Sequence, residues 1–265
     1  MPSPFPLPTL ALEPVSRQSL LDAMDGLLQP QTFQDHGPNG LQVEGRPLVR
    51  KLITGVTASL ALIEAAISAQ ADAILVHHGL FWRGHDGRVI GWMKQRLSRL
   101  LAQEINLFAY HLPLDAHPVL GNNAQLARVL GISLLPPEQG RFGAQSLGFL
   151  GQRPMGSAQA MADHVAAVLG RPVTLVAEPD RRIERIALCT GGAQSYFEAA
   201  IAAGADVFIT GEISEPQAHY ARECGVAYIA CGHHASERYG VQAVGAAIAG
   251  QLGLEHVFID IPNPA

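Results

Sequence analysis

The chain has 265 residues and a formal net charge of −5, with no excess of positive charge to meet a phosphate backbone, so nucleic acid is excluded as an expected partner. Hydrophobic residues make up 48% and charged residues 15%, which predicts a large buried core and excludes extensive disorder. The cysteines, Cys189, Cys224 and Cys231, show no Cys-x-x-Cys spacing; neither a disulfide framework nor a thiolate zinc knuckle is expected, and a reducing cytoplasm fits best.

The proline-rich start has no positively charged n-region, and no apolar run reaches about 18 residues, so neither a signal peptide nor a membrane span is expected. Residues 16–28 read as an amphipathic helix with Leu20, Leu21, Met24 and Leu27 at helical spacing and Ser16 as its cap. Residues 35–40, DHGPNG, are turn chemistry, with Asp35 and His36 read first as turn residues, and an extended run follows at 41–43. From Lys51 the pattern becomes strand, helix (60–70) and strand (71–76), ending in LVHHGLFW. Alternate side chains of a strand point to opposite faces, so a bend after Val76, supplied by Gly79, is expected if His77 and His78 are to converge. Taken alone, the pair fits a core histidine beside a solvent-facing one equally well.

A helix at 90–104, a strand at 106–110 and the segment HLPLDAH (111–117) follow, then a turn at 120–123 and a short helix at 124–130. Residues 133–141, SLLPPEQGR, have linker composition. Strand 147–150, a helix from Ser157 to Leu169 and strand 172–177 come next, followed by strand 185–189, helix 193–203, strand 205–210, helix 216–224 and strand 226–230. The segment CGHHASERYG, a helix at 235–252 and a strand at 255–261 close the chain. The expected fold class is α/β with two domains, residues 1–133 and 134–239, and with 240–265 packing back on the first.

The two regions repeat. Residues 64–75, EAAISAQADAIL, match 198–209, EAAIAAGADVFI, at seven of twelve positions without a gap. Each copy continues through a helix and strand to a histidine with an acid four residues later: His111 and Asp115, then His233 and Glu237. Two related α/β halves, each presenting polar groups at the carboxyl edge of a parallel sheet, would build one site where those edges face each other.

His77, His78, Asp115, His233 and Glu237 all lie just after predicted strands. Their nitrogen and oxygen donors suit zinc, iron, manganese, cobalt or nickel, and the absence of cysteine disfavours a closed structural zinc site. Residues four apart share a helix face, which brings Glu237 back toward His233. Three histidines and two carboxylates are enough for two divalent metal ions, the adjacent histidines divided between them and a carboxylate bridging. Such a pair lowers the pKa of a shared water and clamps negative charge, as in metal-dependent hydrolases. Glu212, which holds the place of His78 in the second repeat, is a candidate general base or a group that orients a ligand, with a helix cap as its plainer role. His111 is the other candidate for proton transfer, with a backbone hydrogen bond as its alternative. His234 leaves ligation to its neighbour; His85, His117, His164, His219 and His256 read as surface or structural, and the cysteines as small buried hydrophobes.

At these residues the chain resembles the NIF3-like family, also known as GTP cyclohydrolase 1 type 2. The matching segments are GPNGLQVEG (37–45), HHGLFW (77–82), HLPLDAHPVLGNN (111–123), TGE (210–212) and GHHASERYG (232–240), in an order that runs through almost the whole chain. The resemblance implies a dinuclear metal centre on His77, His78, Asp115, His233 and Glu237, two similar α/β domains, and a ring-shaped homohexamer with sites facing an internal cavity. It names opening of the GTP imidazole ring with release of formate as the candidate reaction, and a nucleotide as the small-molecule substrate. The chain has no P-loop and no Arg-rich phosphate clamp. Two other classes stand beside the hydrolase: a metal-binding or metal-insertion factor, and a ring-forming interaction protein whose metals are structural.

Overall fold

The computed structural model describes residues 13–265, so the proline-rich start at 1–12 lies outside the described residues. Two sheets carry the fold. The first orders its strands Glu255–Phe258, Lys51–Thr57, Ala73–His78, Asn106–Ala109 and Gly40–Val43, the first four parallel and the last antiparallel. The second runs Thr174–Val176, Ala227–Ala230, Val207–Thr210, Ile183–Leu188, Gly148–Met155 and Ser133–Leu134, with Ala227–Ala230, Val207–Thr210 and Ile183–Leu188 parallel to one another.

The predicted repeat is visible in this topology. In each half the third repeat strand lies beside an antiparallel edge strand that precedes the repeat in the chain: Gly40–Val43 in one, Thr174–Val176 in the other. The match extends to single bonds. Asp72 Oδ2 accepts from the N–H groups of Arg50 (2.8 Å) and Lys51 (3.1 Å), while Asp206 Oδ2 accepts from Glu184 (3.1 Å) and Arg185 (2.9 Å). Each aspartate, kept in both copies as Ala-Asp, thus ties off the start of its half's first strand, and each also meets an arginine, Arg46 or Arg181.

Both faces of each sheet are covered, because alternate strand residues are apolar on either side. Ile53, Ile74, Val76 and Leu107 pack under the helices Leu60–Ser68 and Gly91–Ala102. On the opposite face Leu52, Leu75, Phe108 and Tyr110 meet Leu20 and Met24 of Arg17–Leu28 and Val241, Val244 and Ile248 of the long helix His233–Leu252. In the second half, Ile186, Val207, Ile209 and Ile229 join Met161 and Val165 of Ala158–Leu169 together with Leu126 and Ala127 of Asn122–Val129. The long helix therefore starts at the second sheet's edge and ends on the first sheet.

Several expectations are corrected. Residues 133–141 are not a free linker: Ser133–Leu134 and Arg141–Phe142 both pair with Gly148–Met155, since edge N–H and C=O groups are satisfied by adding short strands. Asn122 and Asn123 belong to a helix rather than a turn, and HLPLDAH folds into the short helix Leu112–Ala116. The expected bend after Val76 is absent; the strand continues through His78, paired to Thr57. Gly79 instead leaves room for the Gln42 amide, whose Oε1 accepts from Leu80 N at 2.8 Å. The last strand stops at Phe258, and Cys224 is exposed while Cys189 and Cys231 are buried. Ser16 does cap the first helix, accepting from Ser19 N at 2.9 Å. No helix among the described residues is long and apolar enough to cross a membrane.

Candidate metal centre

The carboxyl ends of the two sheets meet, and His77, His78, Asp115, His233 and Glu237 come together between them. His77 and His78 close the strand Ala73–His78, Asp115 sits in Leu112–Ala116 just past the neighbouring strand, and His233 and Glu237 occupy the first turns of His233–Leu252. Glu237 lies between the rings: Oε1 is 3.4 Å from His77 Nε2, and Oε2 is 3.3 Å from His78 Nε2 and 3.1 Å from His233 Nε2. Asp115 Oδ1 is 3.5 Å from His77 Nε2. Each carboxylate oxygen of Glu237 faces a different histidine, so an unbent strand still delivers both rings to one site.

The outer nitrogens explain the aim of the inner ones. His77 Nδ1 bonds Tyr110 O (3.1 Å), His78 Nδ1 bonds Thr57 Oγ1 (3.1 Å), His111 Nδ1 bonds Asp35 Oδ1 (2.7 Å) and His233 Nδ1 bonds Glu212 Oε1 (2.6 Å). An acceptor at Nδ1 fixes tautomer and ring orientation and leaves Nε2 as a lone-pair donor. Yet His77 Nε2 and Glu237 Oε2, both buried, have no hydrogen-bond partner. Buried polar atoms are nearly always satisfied, and leaving one unmet costs about 1–3 kcal/mol. These atoms crowd together at contact distances without the alignment of hydrogen bonds, as a set of donors converging on a cation does.

Three triplets in this cluster have ligand atoms within 4.8 Å of one another: His77, Asp115 and Glu237; His78, His233 and Glu237; and His77, His78 and His111. The first two share only Glu237. The cluster can hold a metal ion. Its charges are balanced accordingly: burial alone would lower His77, but Asp115 and Glu237 push it up to about 9, and Glu237 with Glu212 does the same for His233. Burial pushes His78 down to about 3, which keeps it neutral. Glu237 is held well below the usual carboxylate range by the surrounding histidines despite its burial, whereas burial and the charge of Glu237 raise Asp115.

Residues given no site role by the sequence complete the site. Asn122 Nδ2 donates to Asp115 Oδ1 (2.8 Å), and Thr190 Oγ1 donates to the same oxygen (3.2 Å). Asn123 joins the halves, donating to Asp115 O and Leu147 O and accepting from Thr190 N. Asp35, read as a turn residue, holds His111 and also accepts from Leu112 N and Asn39 Nδ2; burial would raise it, but His111 brings it to about 2. Glu212 Oε1 bonds His233 Nδ1, and the helix Glu215–Cys224 that follows has no side-chain cap. His234 bonds Asp260 (2.7 Å), His164 bonds Leu130 O, His219 bonds Glu215 and His256 bonds Thr54, all away from the centre.

A cleft of about 440 Å³ opens onto the cluster, lined by His111, Asp115, Thr190, His233 and Glu237 with Gln34, Gln145 and Tyr196 at its walls. That volume suits a small molecule. Among the described residues no lysine or arginine lines it.

A family model described as Duf34/NIF3 (NGG1p interacting factor 3) matches residues 15–264. A Pseudomonas aeruginosa protein named GTP cyclohydrolase 1 type 2 homolog is 51% identical over 95% of this chain and 99% of its own length. A Neisseria meningitidis protein of the same name is 48% identical over 95% of this chain and 100% of its own. A solved structure described as protein ybgI, of unknown function, superposes with a TM-score of 0.90 at 44% identity, covering 95% of this chain and all of that one. A Thermus thermophilus structure does so with a TM-score of 0.83 at 34% identity, over 95% and 100%.

Proposed function

Because this chain belongs to the Duf34/NIF3 family and has its two-half α/β fold, we propose that the cluster is a dinuclear metal centre serving a metal-dependent hydrolase. The observation that carries this is the buried, partnerless pair His77 Nε2 and Glu237 Oε2 amid nitrogens whose other sides are already engaged. His77, Asp115 and Glu237 would hold one ion; His78, His233 and Glu237 would hold the second. Nitrogen and oxygen donors without thiolate suit zinc, iron, manganese, cobalt or nickel. Ions so held supply an activated water and charge neutralisation.

The protein's own groups divide the remaining work. Glu212 and Thr57 orient His233 and His78, and Asn122 and Thr190 fix Asp115. His111, held by Asp35 and facing the cleft, is the group placed to pass a proton to a leaving nitrogen. Glu212 does not line the cleft, and we assign it to orientation rather than to general base catalysis. The candidate reaction follows from the activity in the relatives' names: one water adds to the ring carbon between the imidazole nitrogens of GTP and one C–N bond breaks, leaving a formamide; a second water hydrolyses that formamide, releasing formate and a free amine.

One observation favours a second reading, a metal-binding or metal-insertion factor without catalysis: the cleft offers no lysine or arginine to a triphosphate. Incubating metal-loaded protein with GTP and measuring formate, with metal content determined on the same sample, separates the two. Metal-dependent formate release above that of His77→Ala supports the cyclohydrolase; bound metal without turnover supports the second reading; no bound metal refutes both. A ring-shaped homohexamer belongs to the same proposal and is tested by mass measurement in solution.

A further inference from the structure

The helix that presents His233 and Glu237 begins without a side-chain cap. Its first turn is held instead by the chain's last described segment: Ala265 O accepts from His234 N at 3.1 Å. Arg171 holds that segment, donating from Nη1 to Ala265 O (3.1 Å) and from Nη2 to Pro264 O (2.9 Å). The arginine is placed by the end of Ala158–Leu169, where Gly170 adopts φ 69° and Arg171 N bonds back to Ala166 O. Its guanidinium lies over Gly232, where any Cβ would collide with Nη1, and Gly232 sits at φ 99° immediately before His233. At the segment's other end Asp260 bonds His234 Nε2 (2.7 Å) and lies 3.6 Å from Arg238 Nη1. Residues 260–265 are therefore a strap tied at both ends to the first turns of the helix carrying two candidate ligands.

The strap also walls a second approach to the centre. A cavity of about 180 Å³, separate from the main cleft, is lined by Thr57, His78, His233, Asn263 and Ala265. It reaches the two histidines that share one oxygen of Glu237.

We propose that Arg171 is a positioning residue for the metal centre: through the strap at 260–265 it fixes the start of the ligand-bearing helix, closes the narrower approach and so sets how fast bound metal exchanges. The inference rests on the metal-binding reading above. Arg171 touches no ligand, so its effect should appear in the exchange rate and not in the identity of the donors.

The test follows transfer of zinc from zinc-loaded full-length protein to a chromogenic chelator. Arg171→Ala removes two charge-assisted hydrogen bonds and is expected to release zinc about tenfold faster, with the melting temperature of the metal-free protein little changed and Arg171→Lys intermediate. Deleting residues 262–265 should reproduce the effect, and it carries the test if Arg171→Ala does not fold. Release within twofold of wild type in both the deletion and Arg171→Ala overturns the strap, as does acceleration that only tracks loss of global stability. Wild-type protein that retains no zinc overturns the metal reading and the strap with it; wild type that retains zinc while the variants behave alike overturns the strap alone.

Discussion

Metal binding should expel protons, and the number is set by the charge balance of the metal-free site. His77 and His233 are pushed up to about 9 by Glu237 with Asp115 and Glu212, so at pH 7 both are almost fully protonated, while His78, pushed down to about 3, is neutral. A metal takes only the neutral imidazole, so each of the two ions in the proposed site must displace one proton. At pH 7 each histidine lies about two units below its pKa, so deprotonating both costs about 5 kcal/mol, or roughly four decades of combined affinity, relative to pH well above 9. Titrating metal-free protein with Zn²⁺ at pH 7 in buffers of different ionisation heat gives the protons released directly. About two per chain are expected, with the apparent affinity for each ion rising about tenfold from pH 7 to pH 8. Release close to zero at pH 7 would show that the carboxylates do not hold these rings protonated, and the account of the site's electrostatics would fail.

The same histidines act on stability with the opposite sense when metal is absent. Their folded pKa values lie above the ordinary 6.5, so their contribution is fully present below about pH 6.5 and lost as pH rises through about 9; thermal melts of metal-free protein should fall from pH 6.5 to 9.5 while zinc-loaded protein holds. Glu212→Ala should weaken one of two metal-binding steps by about 10- to 100-fold, because His233 loses its 2.6 Å acceptor at Nδ1; two-site calorimetry with both steps unchanged would contradict the orienting role. Asn123→Ala leaves Thr190 N and two carbonyls without their partner at the junction of the halves, and should cost about 1–3 kcal/mol in urea unfolding; a change below about 0.5 kcal/mol would show that the junction does not depend on it.

The sequence made the repeat legible because EAAISAQADAIL and EAAIAAGADVFI share their aspartate as well as their alanines. In the structure Asp72 and Asp206 each tie off the start of a first strand. Histidines and acids at strand ends were legible for a related reason: parallel sheets collect polar groups at their carboxyl edge. What stayed hidden acts through tertiary contact. Asp35 and Asn39 in DHGPNG read as turn formers, and nothing local shows that His111, far along the chain, bonds both of them. Asn122 and Asn123 read as a turn for the same reason; their amides are spent on Asp115, Thr190 and Gly240, partners that only the fold supplies. Boundaries moved where packing outweighed local propensity, as at His78, where the pairing with Thr57 carries the strand past the histidine it was expected to end before.

The repeat also explains why the centre is asymmetric. His78 and Glu212 occupy equivalent places in the two halves, each at or just beyond the end of the second strand of its repeat. In the first half that position presents an imidazole to the cluster. In the second it presents a carboxylate, which meets His233 from the side away from Glu237 and holds it at Nδ1. One place in the fold thus supplies a candidate ligand in one copy and the support of a candidate ligand in the other. Two identical halves would place two like groups at mirrored positions; with His78 in one copy and Glu212 in the other, Glu237 lies among His77, His78 and His233 while the Glu212 carboxylate is kept on the far side of His233, at Nδ1.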